Sequence, residues 1–116
     1  MAFDYNRIAE ITTIPSTAGA LITNEAGKTT YVRVIIIHNG NTSTETVKLY
    51  NVPDNAEEVG TAGATNIFYN VDIDANGTRI LEFASPGIML EDTKDTIQGV
   101  TDTASKVTFQ AYGGIE

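Results

Sequence analysis

The chain has no cysteine, no tryptophan and one histidine, and it sets seven basic residues against fifteen acidic ones. Each shortage closes off a class of chemistry. Without cysteine there is no disulfide, no thiolate nucleophile and no cysteine-ligated zinc. Stability must then come from packing or from association with other chains, and the composition fits a cytosolic origin. The lone histidine, His38, cannot build a multi-histidine metal site. A nucleophile–base pair would need a second group that the sequence does not name, so His38 reads as a strand-end residue that hydrogen-bonds a turn. The net charge is −8 and the few Lys and Arg are scattered. Nucleic-acid binders gain affinity by neutralising phosphates with basic side chains, so neither DNA, RNA nor an anionic membrane is an expected partner. The acidic balance favours solubility and repulsion between free copies, and it suits docking onto a basic protein surface. The longest apolar run in a β-like pattern, Val34–Ile37, falls far short of the roughly 20 residues that cross a bilayer. No basic stretch followed by an apolar one opens the chain, so no signal peptide is expected.

What is present is β-pattern. A chain of 116 residues suits a single domain, here residues 1–116. Helical periodicity is almost absent, whereas Thr, Val and Ile recur in every candidate element, as a pleated, half-buried surface prefers. Runs at Tyr5–Thr13, Ala20–Thr23, Thr29–His38, Glu45–Val52, Ile67–Ile73, Thr78–Ala84, Ile88–Leu90, Asp95–Thr101 and Lys106–Tyr112 are separated by Gly, Pro, Asn and Asp clusters. The spacing predicts an all-β, antiparallel β-sandwich of about eight strands, jelly-roll or Greek-key. Val107, Phe109 and Ala111 should face inward, and Val47 and Leu49 should share one face of their strand with Lys48 and Tyr50 on the other. The continuous run Val34–Ile37 predicts a strand buried on both faces. Asn39-Gly40 and Asn76-Gly77 predict tight turns with positive φ. The polar stretch Asp54–Asn66 reads as a mobile or partner-ordered loop.

Few residues suggest chemistry. Asp72-x-Asp74-x-Asn76-Gly77 matches the first half of a calcium loop. The match ends there, because Phe83 stands where the bidentate Glu belongs and the stretch lies between strands. A hairpin turn flanked by solubilising acids explains it better. Glu91, Asp92 and Asp95 crowd one turn beside Lys94. Paired carboxylates do acid–base work when one is desolvated, but a solvated turn should leave all three ionised. Ser16, Ser43, Ser85 and Ser105 also fall in turns, none in a nucleophile-elbow setting. No phosphate-binding loop is present. No catalytic residue, cofactor or metal site is therefore expected, and the chain does not read as an enzyme. Five tyrosines outnumber four phenylalanines, a balance common at protein contacts.

Three stretches carry a resemblance: IIIHNGNTSTETVKLYNVP from Ile35, ANGTRILEF from Ala75 and GIMLEDTKDTIQGVTDTASKVTFQAYG from Gly87. Together they resemble small β-sandwich virion proteins of tailed bacteriophages, over roughly the last two thirds of the chain. The resemblance implies a non-enzymatic virion protein, made in the host cytoplasm. It points first to a decoration (cement) protein that clamps the major capsid protein and associates with itself as a trimer or dimer. A neck, tail or fibre-associated protein would carry the same pattern, and a carbohydrate-binding sandwich is the alternative of another class. Partner contacts are expected at the ends and in the long loop, through Phe3, Tyr5, Asp54, Glu57, Glu58, Tyr112 and Ile115.

Overall fold

The computed structural model describes residues 6–116. They form nine strands: β1 (Asn6–Thr13), β2 (Gly19–Thr23), β3 (Thr30–Asn39), β4 (Glu45–Val52), β5 (Ile67–Ile73), β6 (Thr78–Glu82), β7 (Ile88–Leu90), β8 (Thr96–Thr101) and β9 (Val107–Ile115). The first sheet has the order β1-β9-β3-β6, with β7 also on β3, and the second has the order β2-β8-β4-β5. All pairs are antiparallel. β6 and β7 follow one another along the same edge of β3, on Val34–His38 and Thr30–Val32 respectively. They act as one interrupted strand, which leaves the expected eight.

The pairing is nested. β4 meets β5, β3 meets β6 and β7, β2 meets β8, and β1 meets β9. A chain doubled back on itself at the β4–β5 connection and then rolled into two layers has this order, and it is the jelly roll. The core between the layers takes Val32, Ile35, Ile37, Phe109 and Ala111 from the first sheet and Val47, Leu49, Ile73 and Ile97 from the second, all buried. Each such side chain contributes about 1.5–3 kcal/mol by leaving water.

β3 does not alternate simply. Its register with β9 slips between Val32 and Val34, leaving Arg33 as an extra residue. Val32 and Ile35 then both point inward although three positions separate them. Val34 and Ile36 are only half-buried, so the expected burial on both faces does not hold for β3. β9 meets this bulge with Gly113, where any Cβ would collide with the Tyr31 carbonyl oxygen. The glycine lets the two backbones close up.

The strand buried on both faces is β8. Its inward residue is Ile97, and its outward Thr96 and Gln98 are buried as well. The cover is the β4–β5 loop, residues 53–66, folded back over the second sheet. Gln98 Nε2 donates to the Gly60 carbonyl oxygen at 3.0 Å and to Thr96 Oγ1 at 3.0 Å. Gly60 lies so close to Val52 that an added Cβ would come within 2.9 Å of Val52 Cγ1. Asn66 closes the loop: its carbonyl oxygen accepts from Asn51 N, and its Oδ1 accepts from Gly63 N. The loop read as mobile or partner-ordered is bonded to the sheet and to itself over its second half.

The two Asn-Gly turns also differ from expectation. Neither Asn39 nor Gly40 has positive φ. Asn39 is buried, and its Nδ2 donates to the Ser43 and Ile73 carbonyl oxygens at 3.0 Å each. It joins the β3–β4 and β5–β6 turns by its side chain. At Asn76-Gly77 only Asn76 has positive φ, at 59°.

Candidate functional site: the acidic pole

β3 runs from Thr30 to Asn39, so its ends mark the two poles of the sandwich. The β2–β3, β4–β5 and β7–β8 connections and the C-terminus meet at the Thr30 pole. Asn24 is the joint. It is buried, its Nδ2 donates to the Lys28 carbonyl oxygen at 2.7 Å and to the Asp92 carbonyl oxygen at 3.1 Å, and its Oδ1 accepts from Thr30 Oγ1 at 2.7 Å. Its backbone N–H donates to the Asp95 carbonyl oxygen. One asparagine thereby satisfies polar groups of two turns and the start of β3, which a buried polar group must do to avoid a desolvation penalty.

Asp95 ties in the long loop. Its Oδ1 accepts from Asp54 N at 2.9 Å, and its Oδ2 accepts from Asp92 N at 3.0 Å and Glu91 N at 3.1 Å. Burial alone would raise its pKa, but these N–H donors, from Asp92, Asp54 and Glu91, outweigh it and hold the carboxyl below its usual range. The sequence reading gave solvation as what keeps this acid ionised; in the structure hydrogen bonds favour the charged form and burial opposes them. Carboxylate oxygens of Asp54, Asp92 and Asp95 lie within 4.8 Å of one another. Asp54 Oδ2 accepts from Glu57 N at 2.9 Å, so the oxygens of Asp54 and Asp95 serve the backbone. This is a fold-closing arrangement of acids.

The first half of the long loop projects from this pole as a tight turn. Asn55 and Glu58 exchange backbone hydrogen bonds at 2.8 and 3.0 Å. The two residues between them, Ala56 and Glu57, have φ of 51° and 66°, a region that L-residues with a Cβ enter at a cost.

The expected contact residues can now be placed. Asp54 is half-buried under the pole, and Glu57 and Glu58 are exposed at the loop tip. Tyr112 and Ile115 belong to β9 and so are not in a free tail. Glu116 also pairs with Thr29 through two backbone hydrogen bonds. Ile115 is 55% exposed at the pole, whereas Tyr112 lies half-buried opposite Val34. Phe3 and Tyr5 lie outside the described residues. The structure brings Asp54, Glu57, Glu58 and Ile115 to one end of the molecule, and sets Tyr112 three residues before Ile115 along β9.

Charge follows the same geography. The pole carries Glu25, Asp54, Glu57, Glu58, Glu91, Asp92, Asp95 and Glu116 against Lys28 and Lys94. All but Asp54 and Asp95 of these acids are exposed. At the opposite pole the β1–β2, β3–β4, β5–β6 and β8–β9 turns carry only Asp74, Asp102 and Lys106. The hydroxyl of Tyr31 reports the field: it donates to Glu116 Oε2 at 2.8 Å. That bond, followed by burial and the charges of Glu116 and Glu91, raises its pKa.

The remaining candidates sit elsewhere. His38 Nδ1 shares a 2.8 Å hydrogen bond with Thr78 Oγ1 in the neighbouring strand. Asp72 accepts from Thr46 Oγ1 at 2.6 Å on the exposed face of β5, and Asp74 belongs to the turn whose Gly77 N–H its carbonyl accepts. The sequence reading missed Asn24, Asn39 and the buried Glu45, which accepts from Asn41 Nδ2 at 2.9 Å and Thr103 N at 2.8 Å. A polar residue at the boundary between a turn cluster and a strand is the signal that could have found all three. Among known protein families, curated proteins and solved structures, none matches this chain.

Proposed function

We propose that the protein is a structural component of a phage virion, first of all a capsid decoration protein that binds the outer shell and stabilises it. The observation that carries the reading is the acidic pole, where separate chain segments are bonded into one contact surface. Glu57 and Glu58 at the loop tip, Ile115 and the exposed acids of two turns are presented together there. Several weak contacts made at once raise effective concentration and stiffen what they join. The resemblance of the Ile35–Pro53, Ala75–Phe83 and Gly87–Gly113 stretches to small virion sandwiches supports the same reading. The fold is compatible with it, since jelly rolls serve in capsid and lectin domains alike, though a fold by itself does not decide function. Self-association would use the outer face of the first sheet, where Val34 and Ile36 are half-buried and Ile80 is 60% exposed. In this role the protein acts by holding neighbours together and catalyses nothing.

The test is assembly. Purified protein mixed with undecorated shells should bind stoichiometrically and raise the temperature at which the shells come apart. Binding to tails or necks and not to shells would move the assignment to a tail or neck protein.

One feature favours a carbohydrate-binding role as a second reading. A groove of about 230 Å³ is lined by Tyr31, Arg33, Ser85, Pro86 and Glu116, which sets an aromatic ring and a proline beside charged groups. A glycan array decides it: one sugar class retained, and lost in Tyr31→Ala, would put this reading first.

A further inference from the structure

The outer face of the first sheet is complementary to itself. Strand register sets its residues in rows that cross β1, β9, β3 and β6. One row is Arg7, Tyr112, Val34 and Glu82. Its neighbour in β9, Ala111, points into the core, so the row faces outward. Arg7 and Glu82 stand exposed at its two ends, with half-buried Tyr112 and Val34 between them. The next row crosses Gln110, Ile36 and Ile80. On β1 the register slips between Ala9 and Thr12, which leaves Glu10 and Ile11 together opposite Gln110. Ile11 and Ile80, at opposite ends of this row, are each 60% exposed, and no other large apolar side chain among the described residues is more so.

We propose that this face pairs with the same face of a second copy, across a two-fold axis that runs along the strands between β9 and β3. Rotation about that axis lays β1 on β6 and β9 on β3 of the other copy, so each row meets itself reversed. Arg7 then meets Glu82, Tyr112 meets Val34, Ile11 meets Ile80 and Gln110 meets Ile36. Each contact is made twice, as an isologous interface requires. Charge complementarity selects both the occupant and the axis. A two-fold across the strands, along the Gln110 row, would set Arg7 on Thr13 and Glu82 on Thr78 and pair no charges. The net charge of −8 is carried mostly elsewhere, since these two rows hold Glu10 and Glu82 against Arg7. Because the axis follows the strands, the two acidic poles lie at the same end of the pair. Salt screens their repulsion beyond roughly 8 Å, and two poles facing one way give a neighbour two points of attachment. The inference deepens the self-association in the proposed function and rests on that reading for its use, while the contact itself does not need a shell.

Sedimentation equilibrium of the whole protein tests it. A reversible monomer–dimer equilibrium is expected, and I80S should weaken it at least about tenfold. R7E and E82R, both at exposed positions, should keep the melting temperature and each weaken pairing about tenfold. E82R should do so although it makes the chain less negative. An equimolar mixture of R7E and E82R should pair as tightly as the unmutated protein, because in the mixed dimer opposite charges face one another at both edges. A monomer at every concentration up to about 1 mM, a trimer, indifference to I80S or to either charge reversal, or a mixture no tighter than its components would each overturn the proposal. Dimers that bind no shells would sink the virion reading and leave the pairing standing. Shell binding by a protein that stays monomeric would do the reverse.

Discussion

Gln98 donates from Nε2 to the carbonyl oxygen of Gly60 at 3.0 Å, and this contact explains why a polar side chain lies buried on the outside of a sheet. Thr96 and Gln98 would face water if the chain turned directly from β4 to β5. The intervening loop covers them, and its backbone supplies the acceptor that burial demands. Gln98→Ala removes the donor and strips the loop of its central attachment. The expected cost is about 1–3 kcal/mol, read from urea unfolding. Amide exchange should quicken selectively over residues 60–66.

Asn24 is the corresponding joint inside the acidic pole, with three side-chain hydrogen bonds of 2.7, 2.7 and 3.1 Å. Asn24→Ala leaves the Thr30 hydroxyl and the Lys28 and Asp92 carbonyl oxygens without it. Leaving the buried Thr30 hydroxyl and the two partly buried carbonyl oxygens without this partner should cost about 1–3 kcal/mol. Asn24→Asp should do no better, because a carboxylate cannot donate to two carbonyls. Denaturant midpoints of both variants check this.

Asp95 makes the pole acid-sensitive. Against the opposing effect of burial, the N–H groups of Asp92, Asp54 and Glu91 hold its carboxyl below the ordinary aspartate range in the folded protein. A depressed folded pKa contributes stability that is present above the unfolded value and lost as the pH falls through the folded one. Wild type should therefore lose stability on acidification below about pH 4, with Asp95 as one source. Asp95→Asn should be less stable than wild type at neutral pH and show a shallower decline towards acid. A steeper decline in the variant would contradict the hydrogen-bond arrangement described for Asp95.

The loop tip holds Ala56 and Glu57 at positive φ, where Asn-Gly would sit with little strain. The double substitution A56N/E57G should stabilise the protein by about 1 kcal/mol, seen as a higher melting temperature. If the tip contacts a partner, the same variant should bind shells less well despite its greater stability. That opposite movement separates a tip kept for contact from one kept by chance.

Much of the layering was legible in the residues. Alternation sorted the two faces of Glu45–Val52 and identified the inward side chains of Val107–Ala111, because a side-chain period of two is local and needs no partner. The nested strand order was not legible, since which runs pair depends on the whole chain's path. The Arg33 bulge shifts β3 by one residue, and nothing in Val32–Ile37 marks that slip. The last run read from the sequence stops at Tyr112, yet close approach to Tyr31 makes Gly113 necessary inside the sheet. For the candidate site, the acids were visible one turn at a time. Their convergence on one pole depends on Asn24 and Asp95, whose roles are set by residues far away in sequence.

The central claim is that the acidic pole is the face by which this jelly roll holds a neighbour. Electron cryo-microscopy of undecorated shells mixed with the purified protein tests it most directly. The account predicts extra density at regular shell positions, with the β2–β3, β4–β5 and β7–β8 turns against a basic patch of the shell. Shells that stay bare, or density that docks with this pole pointing into solvent, would contradict it.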